Sequence, residues 1–314
     1  MPWPVLVPTS SFTKTLTTIP EMAIHITQRD KQVLQSIRDL GLASSDHIRY
    51  LHFPSHSRAR KRLRQLWKIG LLARIERPTI LGEGSKSKLY RIARKGAALI
   101  HDPEVHVSST TRVRPISAQF AEHQLAINRF RVCVQLAVRS TPGVSLVNWI
   151  PDRGVKMEGT WEDKSRRQSS VIIPDSTFTL WSGNHSFAYF LEIDLGSTPL
   201  KRLRNKLMCY FSVFEHPELQ VTRPHPGFRV LIVANSASRL KSLANAVRSL
   251  PPRVRRPDIF MLTLSTKFSY DRPQSVFGPI WTTLSADRSV TRQVPLFQST
   301  RHSRQYQENH RCTA

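Results

Sequence analysis

The chain has 314 residues and a mass of 36.0 kDa, enough for two domains with cores of their own. Its 47 Lys and Arg against 22 Asp and Glu give a formal charge of +25 and a pI near 11.1, so a polyanion is the expected partner. No apolar run is long enough for a membrane anchor, and the basic residues, rich in Arg, recur along the whole chain, which favours nucleic acid over a lipid surface.

Residues 1–25 are expected to form a flexible N-terminus: Pro2, Pro4 and Pro8 interrupt it, and it lacks the basic segment that opens a secretory signal. Cys133, Cys209 and Cys312 are too scattered for a zinc site and odd in number, which points to a reducing cytoplasm and no disulfide framework.

Residues 26–105 read as helix, helix, helix, hairpin. Thr27 is a suitable N-cap, and Val33, Leu34, Ile37 and Leu40 recur at helical spacing until Gly41 stops the run. Ser44 or Ser45 caps a short second helix with Ile48 and Leu51 inward, ending before Pro54. A third helix over residues 57–69, capped by Ser57, turns Leu63, Leu66 and Ile69 inward and covers most of the rest with Arg58, Arg60, Lys61, Arg62, Arg64 and Lys68. Strands at 71–75 and 89–92 flank a polar loop that carries Lys86 and Lys88. Three helices and a two-stranded wing make a winged helix-turn-helix, in which the third helix enters the major groove and the wing touches the adjacent backbone. A solvated charged face is the plain alternative; the single sign of the charge on this helix favours DNA.

Residues 106–116 read as a polar linker into a second domain over 117–284. A long helix at 117–138 precedes strands at 144–150, 171–181 and 187–194, a helix at 200–214, a strand at 228–234, a helix at 236–250 and a strand at 259–264. Residues 152–169 are charged and lack an apolar period, so they are expected to be a surface excursion outside the core, and 285–314 a basic flexible tail.

Alternate side chains of a strand share a face, so Glu192 and Asp194 project together while Leu191 and Ile193 face a core. Asp175, at the start of the preceding antiparallel strand, adds a third oxygen ligand if the hairpin register brings it alongside. Three such carboxylates suit Mg²⁺ or Mn²⁺, hard cations that prefer oxygen and act on phosphodiesters. Solvated strand residues and a turn former are the alternative. The order α-β-β-β-α-β is the core of the restriction-endonuclease fold, and it puts the acidic residues on the second and third strands.

Four motifs then follow the basic helix in order: Glu122-His123-Gln124-Leu125-Ala126-Ile127-Asn128, Ile173-Pro174-Asp175, Leu191-Glu192-Ile193-Asp194-Leu195-Gly196-Ser197, and Lys206 followed by Tyr210. Over residues 27–235 the chain resembles the replication-relaxation proteins of plasmids and integrative elements, which are similar to MobC-type relaxases, and its second half resembles the PD-(D/E)XK nuclease superfamily. The resemblance implies an α/β (α+β) chain, a winged helix followed by a restriction-endonuclease-like domain, that binds double-stranded DNA at an origin-like site. It also implies a role in replication, DNA relaxation or mobilisation alongside other replication or relaxosome proteins.

By the same resemblance Asp175, Glu192, Asp194 and Lys206 are the candidate catalytic residues, the three carboxylates are the candidate ligands of Mg²⁺ or Mn²⁺, and Glu122, His123, Arg202 and Tyr210 are of second rank. One departure stands out. The superfamily places a Lys two residues after the Glu, where it orients the attacking water, and here that position is Asp194. Lys206, in an i, i+4, i+8 stripe with Arg202 and Tyr210, is the candidate replacement. A metal-dependent nickase with a migrated Lys remains open. So does a non-catalytic initiator, accessory factor or transcriptional regulator. A nucleotide-binding glycine loop, a nucleophile elbow and an HExxH motif are all absent, so ATPase, serine hydrolase and zinc protease chemistry lack support.

Overall fold

A computed structural model of the chain describes residues 24–76, 88–100, 116–151, 154–163, 166–216, 227–252, 254, 256–285 and 287–297. Lys86, residues 106–115 of the linker expected at 106–116, residues 1–23 of the expected flexible N-terminus, and the segment 298–314 with Cys312 lie outside the described residues. The fold is mixed α+β, with seven α-helices among the described residues.

The first half opens with α1 (Gln28–Leu40), fixed at its start by a reciprocal pair in which Thr27 caps Asp30 and Asp30 caps Thr27. Gly41, at φ 66°, ends it in the left-handed region that glycine adopts without strain. A two-residue strand, β1 (Ala43–Ser44), leads into α2 (Ser45–His52), which Ser44 caps. Helix α3 (His56–Lys68) starts earlier than expected: Ser55, with an extended backbone, accepts the Arg58 N–H on its Oγ, and Ser57 lies inside the first turn. Both serines suit a cap by type, and the chain path after Pro54 selects the first. Strands β2 (Leu72–Ile75) and β3 (Leu89–Ile92) pair antiparallel, β1 adds to the free edge of β3, and α4 (Arg94–Leu99) follows. Val33, Leu34 and Ile37 pack with Ile48, Leu63 and Leu66 beneath them.

After α5 (Ala118–Arg139) come β4 (Val144–Pro151), β5 (Met157–Asp163), β6 (Arg166–Ile172), β7 (Ser176–Ser182), β8 (His185–Asp194), α6 (Leu200–Glu215), β9 (Phe228–Ala234), α7 (Ala237–Arg248), β10 (Phe260–Leu264), β11 (Trp281–Leu284) and β12 (Thr291–Val294). Seven of these strands form one sheet in the order β12-β11-β10-β9-β8-β7-β4. Strands β8, β9 and β10 run parallel and the flanking pairs antiparallel. Strand β9, a nearly unbroken apolar run, is covered on both faces, as a central parallel strand should be. On one face α6 and α7 bury Leu207, Tyr210 and Leu243 against Val230 and Ile232. On the other, α5 sets Phe130 and Val134 against Phe178, Leu191 and Leu231.

Three expectations are corrected. The strand read at 171–181 is two strands in two sheets, broken where Pro174 interrupts the ladder. The stretch read as a surface excursion carries β5 and pairs it with β6, and it packs on α6: Val155, Met157 and Ile172 are core residues, and Ser212 Oγ bonds both the N–H and the carbonyl of Thr160. Its buried positions are only a few apolar residues among many polar ones, so no period is visible. The tail read from 285 onward includes β12, an edge strand of the main sheet, and buried Leu296, whose carbonyl accepts the Tyr189 hydroxyl at 3.0 Å.

The two halves meet along α5. The last carbonyls of a helix have no partner within it, and Asn128 Nδ2 donates to the carbonyls of Leu40 at 2.9 Å and Leu42 at 2.7 Å, with Arg131 bonding that of Asp39. Arg139 donates to the Leu51 carbonyl at 2.9 Å, and the rings of Tyr50 and Tyr270 lie 4.4 Å apart, tilted by 33°. Val132 of α5 joins the apolar cluster of the first half, so this helix belongs to both cores.

Candidate functional site

Helix α3 has no acidic residue, and its polar face is predominantly basic. Arg58, Arg60, Lys61, Arg64 and Lys68 are exposed, and none makes an ion pair with a described residue. Trp67 is exposed on the same helix, with the Arg74 guanidinium 4.6 Å above its ring. Arg62 departs from this face. It turns inward to Asp30, Nε to Oδ1 at 2.7 Å and Nη2 to Oδ2 at 2.5 Å, and bonds the His25 carbonyl. Asp30 is 1% exposed. Burial alone would raise its pKa, but hydrogen bonds from Arg62 and Thr27 hold it below the usual carboxylate range. Arg62 therefore locks α3 to α1. Lys88 pairs with Glu76 at 3.0 Å at the base of the β2–β3 hairpin.

The strand alternation holds at β8: Leu191 and Ile193 face α5, while Glu192 and Asp194 face α6 and α7. Asp175 lies just before β7, where its N–H bonds the Leu191 carbonyl at 3.1 Å and its Oδ2 accepts the Ile193 N–H at 2.7 Å. His123 of α5 reaches the same oxygen at 3.3 Å and the Ile193 carbonyl at 3.1 Å, and the Asp175 contact raises its pKa. Glu192 is bonded by Lys206 and by the Tyr210 hydroxyl, both from α6. Burial pushes the Glu192 carboxyl up to about 7; Lys206 pulls it down and the nearby Asp175 charge adds to the rise. Asp194 is held by Arg239 of α7 in a bidentate pair, both contacts 2.8 Å, and its Oδ1 also accepts the Gly196 N–H at 2.7 Å.

Each carboxylate thus has its own donors, and each ties the sheet to a different helix: Asp175 to α5, Glu192 to α6, Asp194 to α7. Asp175 and Glu192 feel one another's charge, while Asp194 is engaged by its Arg239 pair. Among the described residues no group of three or more His, Cys, Asp or Glu side chains is placed to hold a metal ion. Of the second-rank residues, His123 and Tyr210 reach the carboxylates, and Arg202 is exposed one turn before Lys206. Glu122 lines a separate cleft of about 360 Å³ with Asp46, Arg129, Asn235 and Tyr270, between the first half and the sheet's end.

Arg239 was missed by sequence reasoning. Its signal is a cation in the first turn of a helix, where the dipole disfavours it unless an anion sits alongside. Asn128 was visible only as part of a motif, without its role at the seam.

A mixed α+β chain with a one-signed basic helix joined to a carboxylate-rich parallel strand is the class of protein these features define. Residues 34–226 match the family model described as replication-relaxation, and the chain belongs to that family. No curated protein and no solved structure matches. Among the described residues no helix is long and apolar enough to cross a membrane.

Proposed function

We propose that this protein binds duplex DNA in the replication, relaxation or mobilisation of a plasmid or other mobile element. Its first half acts as a winged helix with α3 against the groove and the β2–β3 hairpin as the wing. The exposed basic face of α3 carries the proposal: five cations project from thirteen residues with no acid among them, and such a face gains by releasing condensed counterions from DNA. The family name agrees with that setting. The second half serves as a nuclease-like scaffold whose carboxylates brace the fold, since each already has a protein partner.

Binding of labelled duplex by the Arg58→Ala, Arg60→Ala, Arg64→Ala variant across a salt series tests this. The slope of log K against log salt should fall by roughly 0.9 per lost contact, and an unchanged slope and affinity would rule out α3.

Nicking with Mg²⁺ or Mn²⁺ is the second reading, and the proximity of Asp175 to buried Glu192 favours it. Supercoiled DNA incubated with either ion separates the two: relaxation lost in Glu192→Gln would establish the nickase, and intact supercoils the scaffold.

A further inference from the structure

The carboxylate site opens beside a second basic surface. From Leu195 to Phe214 the sequence has no acid, and the first turns of α6 carry Lys201, Arg202 and Arg204. All three are exposed, and none has an ion pair or side-chain hydrogen bond with a described residue. Glu192 and Asp194, the acids that precede this stretch, are occupied by Lys206 and Arg239. Leu200, 52% exposed, stands next to them.

The surface is also held in place. Gly196, at φ 92°, turns the chain out of β8. Asn235 Nδ2 bonds the Leu195 carbonyl at 2.8 Å, and Arg239 bonds the Thr198 carbonyl at 2.6 Å while gripping Asp194. The loop that leads into α6 is therefore pinned at both ends by the start of α7. Exposed Arg and Lys side chains on the first turns of a helix whose lead-in is pinned lose little backbone entropy on binding, which is how a preorganised phosphate grip is built.

We infer that Lys201, Arg202 and Arg204 form a second anchor for the DNA backbone, separate from α3, so that the protein holds duplex at two places. The anchor deepens the DNA-binding reading and rests on it. Its contacts are assigned to phosphate, the charge that every stretch of duplex offers, and so add affinity without sequence preference.

The full-length protein and three variants test this by anisotropy on a duplex long enough to span both halves, over a salt series. The variants are Lys201→Ala/Arg202→Ala/Arg204→Ala, its charge-retaining counterpart Arg202→Lys/Arg204→Lys, and the α3 triple variant. The α6 alanine variant should lose roughly 0.9 of salt slope per lost contact with an unchanged melting temperature, and the Lys counterpart should keep the slope. A slope unchanged in the α6 variant but reduced in the α3 variant would overturn the second anchor and leave the first. A slope reduced only in the α6 variant would support the second anchor and remove the α3 assignment. Unchanged slopes in both would overturn both anchors, and no binding by the unaltered protein would overturn DNA binding altogether. Tighter binding to an RNA duplex of equal length, with the same loss in the α6 variant, would overturn the choice of DNA.

Discussion

Asp194 and Arg239 form a bidentate pair across 45 residues of sequence, and both are largely withdrawn from solvent, at 7% and 13% side-chain exposure. The pair joins the end of β8 to the first turn of α7. Removal of one partner leaves the other charge stranded. Arg239→Ala should therefore cost about 3–5 kcal/mol in urea unfolding, and the double variant Asp194→Ala/Arg239→Ala distinctly less than the two single losses added together. A single loss below about 1 kcal/mol would mean that the pair behaves as a surface contact.

Arg62 and Arg58 sit one helical turn apart and should respond in opposite ways. Arg62→Ala strands buried Asp30, so unfolding should become easier by several kcal/mol, roughly the cost of a broken buried pair, while the salt slope of DNA binding stays as it was. Arg58→Ala should leave the unfolding midpoint unchanged and lower the slope. Parallel unfolding and anisotropy measurements on the two variants decide this.

Acid should weaken the first half through His47. The ring is buried, its Nδ1 accepts the Ser44 N–H, and burial pushes its pKa from 6.5 down to about 4. As pH falls below 6.5 the unfolded chain takes up a proton that the folded ring refuses, so stability present above 6.5 is lost as pH approaches 4. The full shift corresponds to about 3 kcal/mol. His52, bonded to Ser36 Oγ and also depressed to about 4 chiefly by burial, acts in the same direction. Unfolding curves for His47→Asn should be flatter across this window than those of the unaltered protein; an equal slope would assign the acid sensitivity elsewhere.

Gly159 marks how closely β5 approaches α6. A Cβ there would lie 2.7 Å from the Cys209 carbonyl oxygen and 2.8 Å from its Sγ. Gly159→Ala should push the hairpin off the helix at a cost of about 1–3 kcal/mol. Amide exchange should show β5 and β6 protected in the unaltered protein and released in the variant, with β9 slow in both.

Much of the architecture could be read from the chain because it is written in local periodicity. The caps at Thr27 and Ser44, the stop at Gly41 and the strand Phe228–Ala234 all fall where side-chain type and spacing place them. What was not legible depends on contacts between distant segments. Arg62 looks like every other Arg of α3, and only Asp30, 32 residues earlier, sets it apart. The β5–β6 hairpin is polar along most of its length because it buries one narrow face, which a search for period misses. At the site, alternation correctly put Glu192 and Asp194 on one face, but which donor each would meet depended on where α6 and α7 landed on the sheet.

Helix α5 holds the end of α1 through Asn128 and, less than two turns away, braces Asp175 through His123. If α3 and α6 both hold DNA as proposed, α5 and the sheet that separates it from α6 are the beam of a caliper, with those two helices as its jaws. The gap between the jaws is then a property of the folded frame, helix and sheet together. Because the α6 contact takes no account of sequence, that gap, and not the bases, would set where along the duplex the second grip falls.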